Sequence, residues 1–144
     1  MNSEELKRFL AIDYGVKRIG IALCDPLFTF AYPYKTLLNG PNLWKELKEI
    51  VTLQAVSKII LGLPVKENGE DTAISEAVLK FKNQLENKFR IEVLLRDERY
   101  TSSIAQEFII KTVTKKSKRR EKGLIDRSAA AIILQDYLDE KKIM

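Results

Sequence analysis

Apolar positions come in short blocks bounded by charge, not in long uniform runs. Phe9 to Ile12 is one such block, closed by Asp13, and Ile19 to Cys24 is a second. Between them lie Asp13-Tyr14-Gly15 and the cationic pair Lys17-Arg18. Blocks apolar on both faces suit strands with helices on each side. The spacing predicts strands over 8–13 and 18–24, antiparallel because the link is short. Phe28 to Tyr34 alternates less cleanly and contains Pro33, which removes a ladder donor, so it reads as an edge strand.

After Gly40-Pro41-Asn42, helical spacing takes over at Leu43, Leu47, Ile50 and Val51, continuing to Gln54-Ala55. Ser57 to Leu63 is a short buried strand. Beyond a polar loop over 65–71, Thr72 can cap a helix carrying Ile74, Val78, Phe81, Leu85 and Phe89. Ile91 to Leu95 is a fifth strand, ended by Arg96-Asp97-Glu98-Arg99. Thr101-Ser102 can cap a helix reaching about Thr112, and a last helix runs from Asp126 to Glu140. Trp44 and the phenylalanines read as core, and Cys24 as a small buried apolar residue. This order predicts an α/β domain over 1–144 with a mixed five-stranded sheet. Its strand order is 3-2-1-4-5, with strand 2 antiparallel and helices on both faces through right-handed crossovers.

Composition prunes the chemistry. The 144 residues contain no histidine and one cysteine, Cys24. That excludes an imidazole base, a cysteine-rich zinc site and an internal disulfide. A metal would be held by oxygen, which points to Mg²⁺ or Mn²⁺. No apolar run reaches membrane-spanning length, and MNSEELKRFL lacks the core of a signal peptide, so a cytoplasmic protein without membrane contact is expected. The net charge of +5 is local: residues 111–127 carry +6 and the remainder −1. The run Lys115, Lys116, Lys118, Arg119, Arg120 and Lys122 suits a polyanion-binding face as well as a solvated loop.

Three acids stand where the topology could bring them together. Asp13 ends strand 1, Glu98 follows strand 5, and Asp126 opens the last helix. Strands 1, 4 and 5 are parallel, so their C-terminal ends share one edge, where open α/β sheets place ligands. Residues 126, 130, 133 and 137 share a helical stripe, which aims Asp126 at that edge if Ala130 and Ile133 pack on the sheet. Singly, Asp13 also fits a turn, Glu98 a solvated loop and Asp126 an N-cap. Together they repel unless a cation neutralises them, and such a site can hydrolyse phosphodiesters without histidine.

The segments LAIDYGVKRIGIALCD (10–25), IILGLPVKENGED (59–71), DERYTS (97–102) and IDRSAAAIILQDYL (125–138) resemble the YqgF/RuvX family of RNase H-like, RuvC-like nucleases. The resemblance spans most of the chain. It implies an RNase H-like fold, a metal-dependent site at Asp13, Glu98 and Asp126, and trimming of the 5′ end of pre-16S rRNA. An older assignment for the family is Holliday-junction resolvase. Two positions depart from the pattern. RuvC-type resolvases carry a fourth acid where this chain has Ala129, which favours RNA hydrolysis over junction cleavage. The usual DERLTT reads DERYTS here. Three functions follow: a nuclease on precursor rRNA, a homodimeric enzyme on DNA junctions, or a non-catalytic RNA-binding module. In the first, Lys17, Arg18 and Arg99 hold phosphates beside the acids. An actin-like ATPase would need a second domain for which 144 residues leave no room.

Overall fold

The computed structural model describes residues 7–63, 73–97 and 122–143. The elements within them are β1 (Arg8–Tyr14), β2 (Arg18–Cys24), β3 (Ala31–Leu38), α1 (Leu43–Leu53), β4 (Val56–Leu63), α2 (Ala73–Phe89), β5 (Glu92–Asp97) and α3 (Lys122–Ile143). The sheet order is β3-β2-β1-β4-β5, as the sequence pattern predicts. β2 runs antiparallel to β1 and β3, whereas β4 is parallel to β1 and β5.

Strand alternation sorts the core into two layers. Leu10 and Ile12 of β1, Ile19, Ile21 and Leu23 of β2, and Ile59 and Leu61 of β4 pack with Leu43, Leu47 and Ile50 of α1 and Val78, Phe81 and Leu85 of α2. Trp44 and Phe81 stack there at 5.2 Å between ring centroids. Ala11, Ala22, Cys24 and Ile60 point the other way, against Ala130, Ala131, Ile133, Leu134 and Leu138 of α3. Each layer removes its apolar side chains from water, the dominant favourable term in folding.

The boundaries depart from the sequence pattern most at β3, α1, β5 and α3, and β3 ends at Leu38 where the pattern ended it at Tyr34. β3 starts at Ala31, not Phe28, because Asp25 captures the intervening residues. Its carboxylate accepts the backbone N–H groups of Leu27, Thr29 and Phe30. Phe28 donates to the Asp25 carbonyl and sits at φ 58°. Pro33 then falls inside the edge strand, next to a register shift that accommodates it. α1 ends at Leu53 instead of continuing through Gln54-Ala55, since Ala55 has φ 51°.

β5 extends to Asp97, with Arg96 paired to Gly62 and Asp97 to Leu63. The charge does not end the strand, because Glu140 of α3 meets the Arg96 guanidinium at 2.7 Å. α3 begins at Lys122, so Asp126 lies inside the helix and not at its N-cap, and Lys122 belongs to the helix rather than to the basic loop. The Thr72 cap, the helix expected over 101–112 and the loop over 115–121 lie outside the described residues.

Burial alone would raise the Asp25 carboxyl, but the N–H donors of Phe30, Thr29 and Leu27 outweigh it and hold the group below its usual value. The folded state therefore gains stability from Asp25 above the unfolded value, and loses it as pH falls through the lower folded one. Asp25→Asn is expected to melt below wild type at pH 7, by an amount equivalent to about 1 kcal/mol. The gap should shrink as thermal melts are taken from pH 7 toward pH 2.

Candidate active site

Asp13 is the penultimate residue of β1. Leu10 and Ile12 face α1 and α2, so alternation sends Phe9, Ala11 and Asp13 toward α3. Its antiparallel partner on β2 is Gly20. One step beyond the last β1–β4 pair, Ile12 with Leu61, β4 presents Gly62. Asp13 is thus flanked on both sides by glycine.

Gly20 decides how near α3 can come. A Cβ at this position would run into the backbone carbonyl of Asp126 and lie 2.7 Å from the Arg127 nitrogen. The first turns of α3 therefore rest on bare backbone. Directly opposed antiparallel residues lie about 5 Å apart at Cα. The ladder and this contact together carry Asp13 and Asp126 to the same face and the same end of the sheet.

The next strand holds the helix start in place. Thr36, paired with Gly20, donates its hydroxyl to the Gly123 carbonyl. The same oxygen accepts from an Arg127 terminal nitrogen at 3.2 Å. A Cβ on Gly123 would press into the Thr36 side chain at 3.0 Å.

Arg18 Nε donates to Asp126 Oδ2 at 2.8 Å. Their side chains remain 37% and 24% exposed, so the pair contributes at most about 1 kcal/mol to stability. The turn carrying Lys17 and Arg18 is braced from β3. Asn39 gives its side-chain N–H to the Gly15 carbonyl at 3.0 Å and its backbone N–H to the Lys17 carbonyl at 2.9 Å. Lys17 is exposed beside it, as are Val16 and Leu38.

Of the residues singled out by sequence, the structure brings Asp13, Asp126, Lys17 and Arg18 to one rim. Glu98, Arg99, Lys115, Lys116, Lys118, Arg119 and Arg120 lie outside the described residues. Lys122 is the first residue of α3. Glu98 follows directly on the end of β5, where a cleft of about 470 Å³ is lined by Leu95, Arg96, Asp97 and Glu140. Among the described residues no group of three His, Cys, Asp or Glu side chains is placed to hold a metal. Residue type alone does not single out Gly20, Thr36 or Asn39. Gly20 alone left a signal, as a glycine inside an apolar strand marks a close approach.

Two other perturbed groups serve packing. Burial alone would lower the Lys58 ammonium, but its hydrogen bond to the Tyr137 hydroxyl at 3.2 Å, with Glu92 nearby, raises it instead. Burial pushes the Cys24 thiol up. Both lie toward the opposite end of β1 from Asp13: Cys24 Sγ accepts the Phe9 backbone N–H at 3.2 Å, and Lys58 pairs with Phe9 in the ladder.

The sheet order and the helices packed on its two faces give an RNase H-like fold of the RuvC type. RuvC of T. thermophilus in complex with a Holliday junction substrate superposes with a TM-score of 0.60 at 13% identity, covering 94% of this chain and 96% of that one. The fowlpox virus Holliday junction resolvase superposes at 0.52, covering 92% and 99% at 13% identity. The chain belongs to the RuvX family, whose model, described as Holliday junction resolvase, matches residues 7–140. Relatives bearing the name "Putative pre-16S rRNA nuclease" are similar over nearly their whole length. That of Prosthecochloris aestuarii is 36% identical, covering 97% of this chain and 99% of its own. That of Endomicrobium trichonymphae is 40% identical, covering 93% and 96%.

Gly20→Ala is expected to lower stability by about 1–3 kcal/mol through forced displacement of α3. Urea unfolding followed by circular dichroism measures it. Ala22→Gly on the same face gives the comparison in which no group is added.

Proposed function

We propose that this chain is a divalent-metal-dependent nuclease of the cytoplasm that hydrolyses phosphodiester bonds at the 5′ end of precursor 16S ribosomal RNA. One observation carries this reading. Asp13 and Asp126 share one face and one end of the sheet, in a chain related over more than nine-tenths of its length to proteins of that name.

The donor set suits the ion. Both candidates are carboxylates, histidine is absent from the sequence, and the single thiol is buried away from the rim. Hard oxygen donors of this kind favour Mg²⁺ or Mn²⁺ over softer metals. Glu98, next in sequence after β5, is the proposed third ligand. A bound divalent ion supplies Lewis acidity toward the phosphodiester.

The other roles belong to the chain itself. Lys17, Arg18 and Arg99 hold substrate phosphates near the acids. Lys115, Lys116, Lys118, Arg119, Arg120 and Lys122 add affinity that depends on salt and not on sequence. For a single strand, log affinity falls with log salt by roughly 0.7 per neutralised phosphate.

Cleavage of four-way DNA is the second reading, favoured by the description of the family model. It calls for a homodimer with two sites. Ala129, three residues after Asp126, weighs toward RNA, because an added ion has one carboxylate fewer to hold it.

The test compares wild type with Asp13→Asn, on 5′-extended 16S precursor RNA and on four-way DNA, with Mn²⁺. Wild type is expected to shorten the RNA and leave the junction uncut. Asp13→Asn should lose on the order of 10²–10³ in rate, as when one charge-stabilising group is removed from a hydrolytic site. Its melting temperature and RNA affinity should stay near wild type. Full activity in Asp13→Asn would remove the metal site from the reading, and junction cleavage without RNA cleavage would replace the substrate.

A further inference from the structure

Arg18 is bound to a candidate ligand, not merely placed near it. Its Nε reaches Asp126 Oδ2 at 2.8 Å. The contact runs through Nε, one of five guanidinium N–H donors, instead of the two-pronged fork usual for strong arginine–carboxylate pairs. It is too exposed to hold the fold together. Its backbone is independently fixed, since Asn39 ties the preceding turn and Arg18 pairs with Leu38 on β3. The side chain is therefore free of a structural duty, yet its guanidinium occupies the carboxylate that the metal reading requires.

We propose that Arg18 is a positioning residue that holds the Asp126 carboxylate until a divalent cation takes it, and then turns its guanidinium to a substrate phosphate. This rests on the metal-site reading above. Without a cation, the guanidinium neutralises the Asp126 carboxylate beside the Gly20 shelf. A divalent ion at the same carboxylate meets the positive charge of Arg18 within a few ångströms, so the two compete. Once displaced, the guanidinium stands beside the place a phosphate must occupy to reach the ion. Metal binding and RNA binding are then coupled through one side chain, and the coupling is reciprocal.

The experiment uses the full chain as wild type, Arg18→Met, Arg18→Gln and Arg18→Lys. Mn²⁺ alone is titrated, with the free ion read by electron paramagnetic resonance. Single-stranded 5′-extended rRNA is titrated separately, with Ca²⁺ in place of Mn²⁺. Arg18→Met and Arg18→Gln are expected to bind Mn²⁺ about fivefold tighter or more, because a like charge has left the site. Both should bind RNA about fivefold more weakly. Arg18→Lys keeps the charge, and should stay within about twofold of wild type in Mn²⁺ affinity while recovering most of the RNA affinity. A merely structural arginine would weaken both affinities when removed. Equal or weaker Mn²⁺ binding in both neutral variants, with helical content unchanged, overturns the proposal. If wild type shows a Mn²⁺ site that Asp13→Asn removes, that failure falls on Arg18 alone. If no such site exists, the metal reading falls and this inference with it.

Discussion

The seating of α3 on bare backbone at Gly20 is the constraint on which the rest depends. Helices normally stand off a sheet by the length of the side chains between them. Here the carbonyl of Asp126 lies where a Cβ would be, and buried Ala130 and Ala131 continue the close approach along the helix. Glycine inside a strand costs roughly 0.5–1 kcal/mol in chain entropy. Burial of Ile133 and Leu134 beneath the helix offsets this, at about 1.5–3 kcal/mol for each large aliphatic side chain. The cost places a carboxylate from residue 126 beside one from residue 13. These residues are distant along the chain, and neither is held by a flexible loop.

The far half of α3 is fixed by different means. Phe9 packs on Phe28 at 4.4 Å between ring centroids and on Tyr137 at 6.1 Å. The Lys58 ammonium sits 5.0 Å from the Phe9 ring centroid. Gln135 bridges from the helix to both Ala31 and Thr29, tying it to the turn that Asp25 builds. The helix is thus held at one end by the absence of side chains and at the other by an abundance of them. Sites held on regular elements in this manner keep their geometry better than sites on loops.

How much of this could be read from residues alone follows from how local each cause is. The sheet order was legible because apolar runs, short links and right-handed crossovers leave few topologies. Asp13 and Asp126 were legible as charges ending or flanking apolar stripes. The start of β3 was not, because it depends on one carboxylate collecting three backbone N–H groups, and an Asp-Pro pair signals only that some turn exists. Arg96 and Asp97 read as a strand terminator, since the partner that lets Arg96 stay in the ladder is Glu140, more than forty residues away. The start of α3 was misplaced for a similar reason. The helix starts four residues before Asp126, and Thr36 of another strand holds that earlier turn by donating its hydroxyl to the Gly123 carbonyl. Non-local partners were what the pattern could not contain.

Cys24 sits at the end of β2 with no exposed surface, its sulfur against the Phe9 backbone and its thiol shifted away from the reactive thiolate form. Thiol reagents attack the thiolate, and they need access to it. The native chain therefore offers a silent background for covalent labelling. A cysteine introduced at an exposed place such as Lys17 would carry a spectroscopic reporter beside the acidic rim, with the native thiol left where it is.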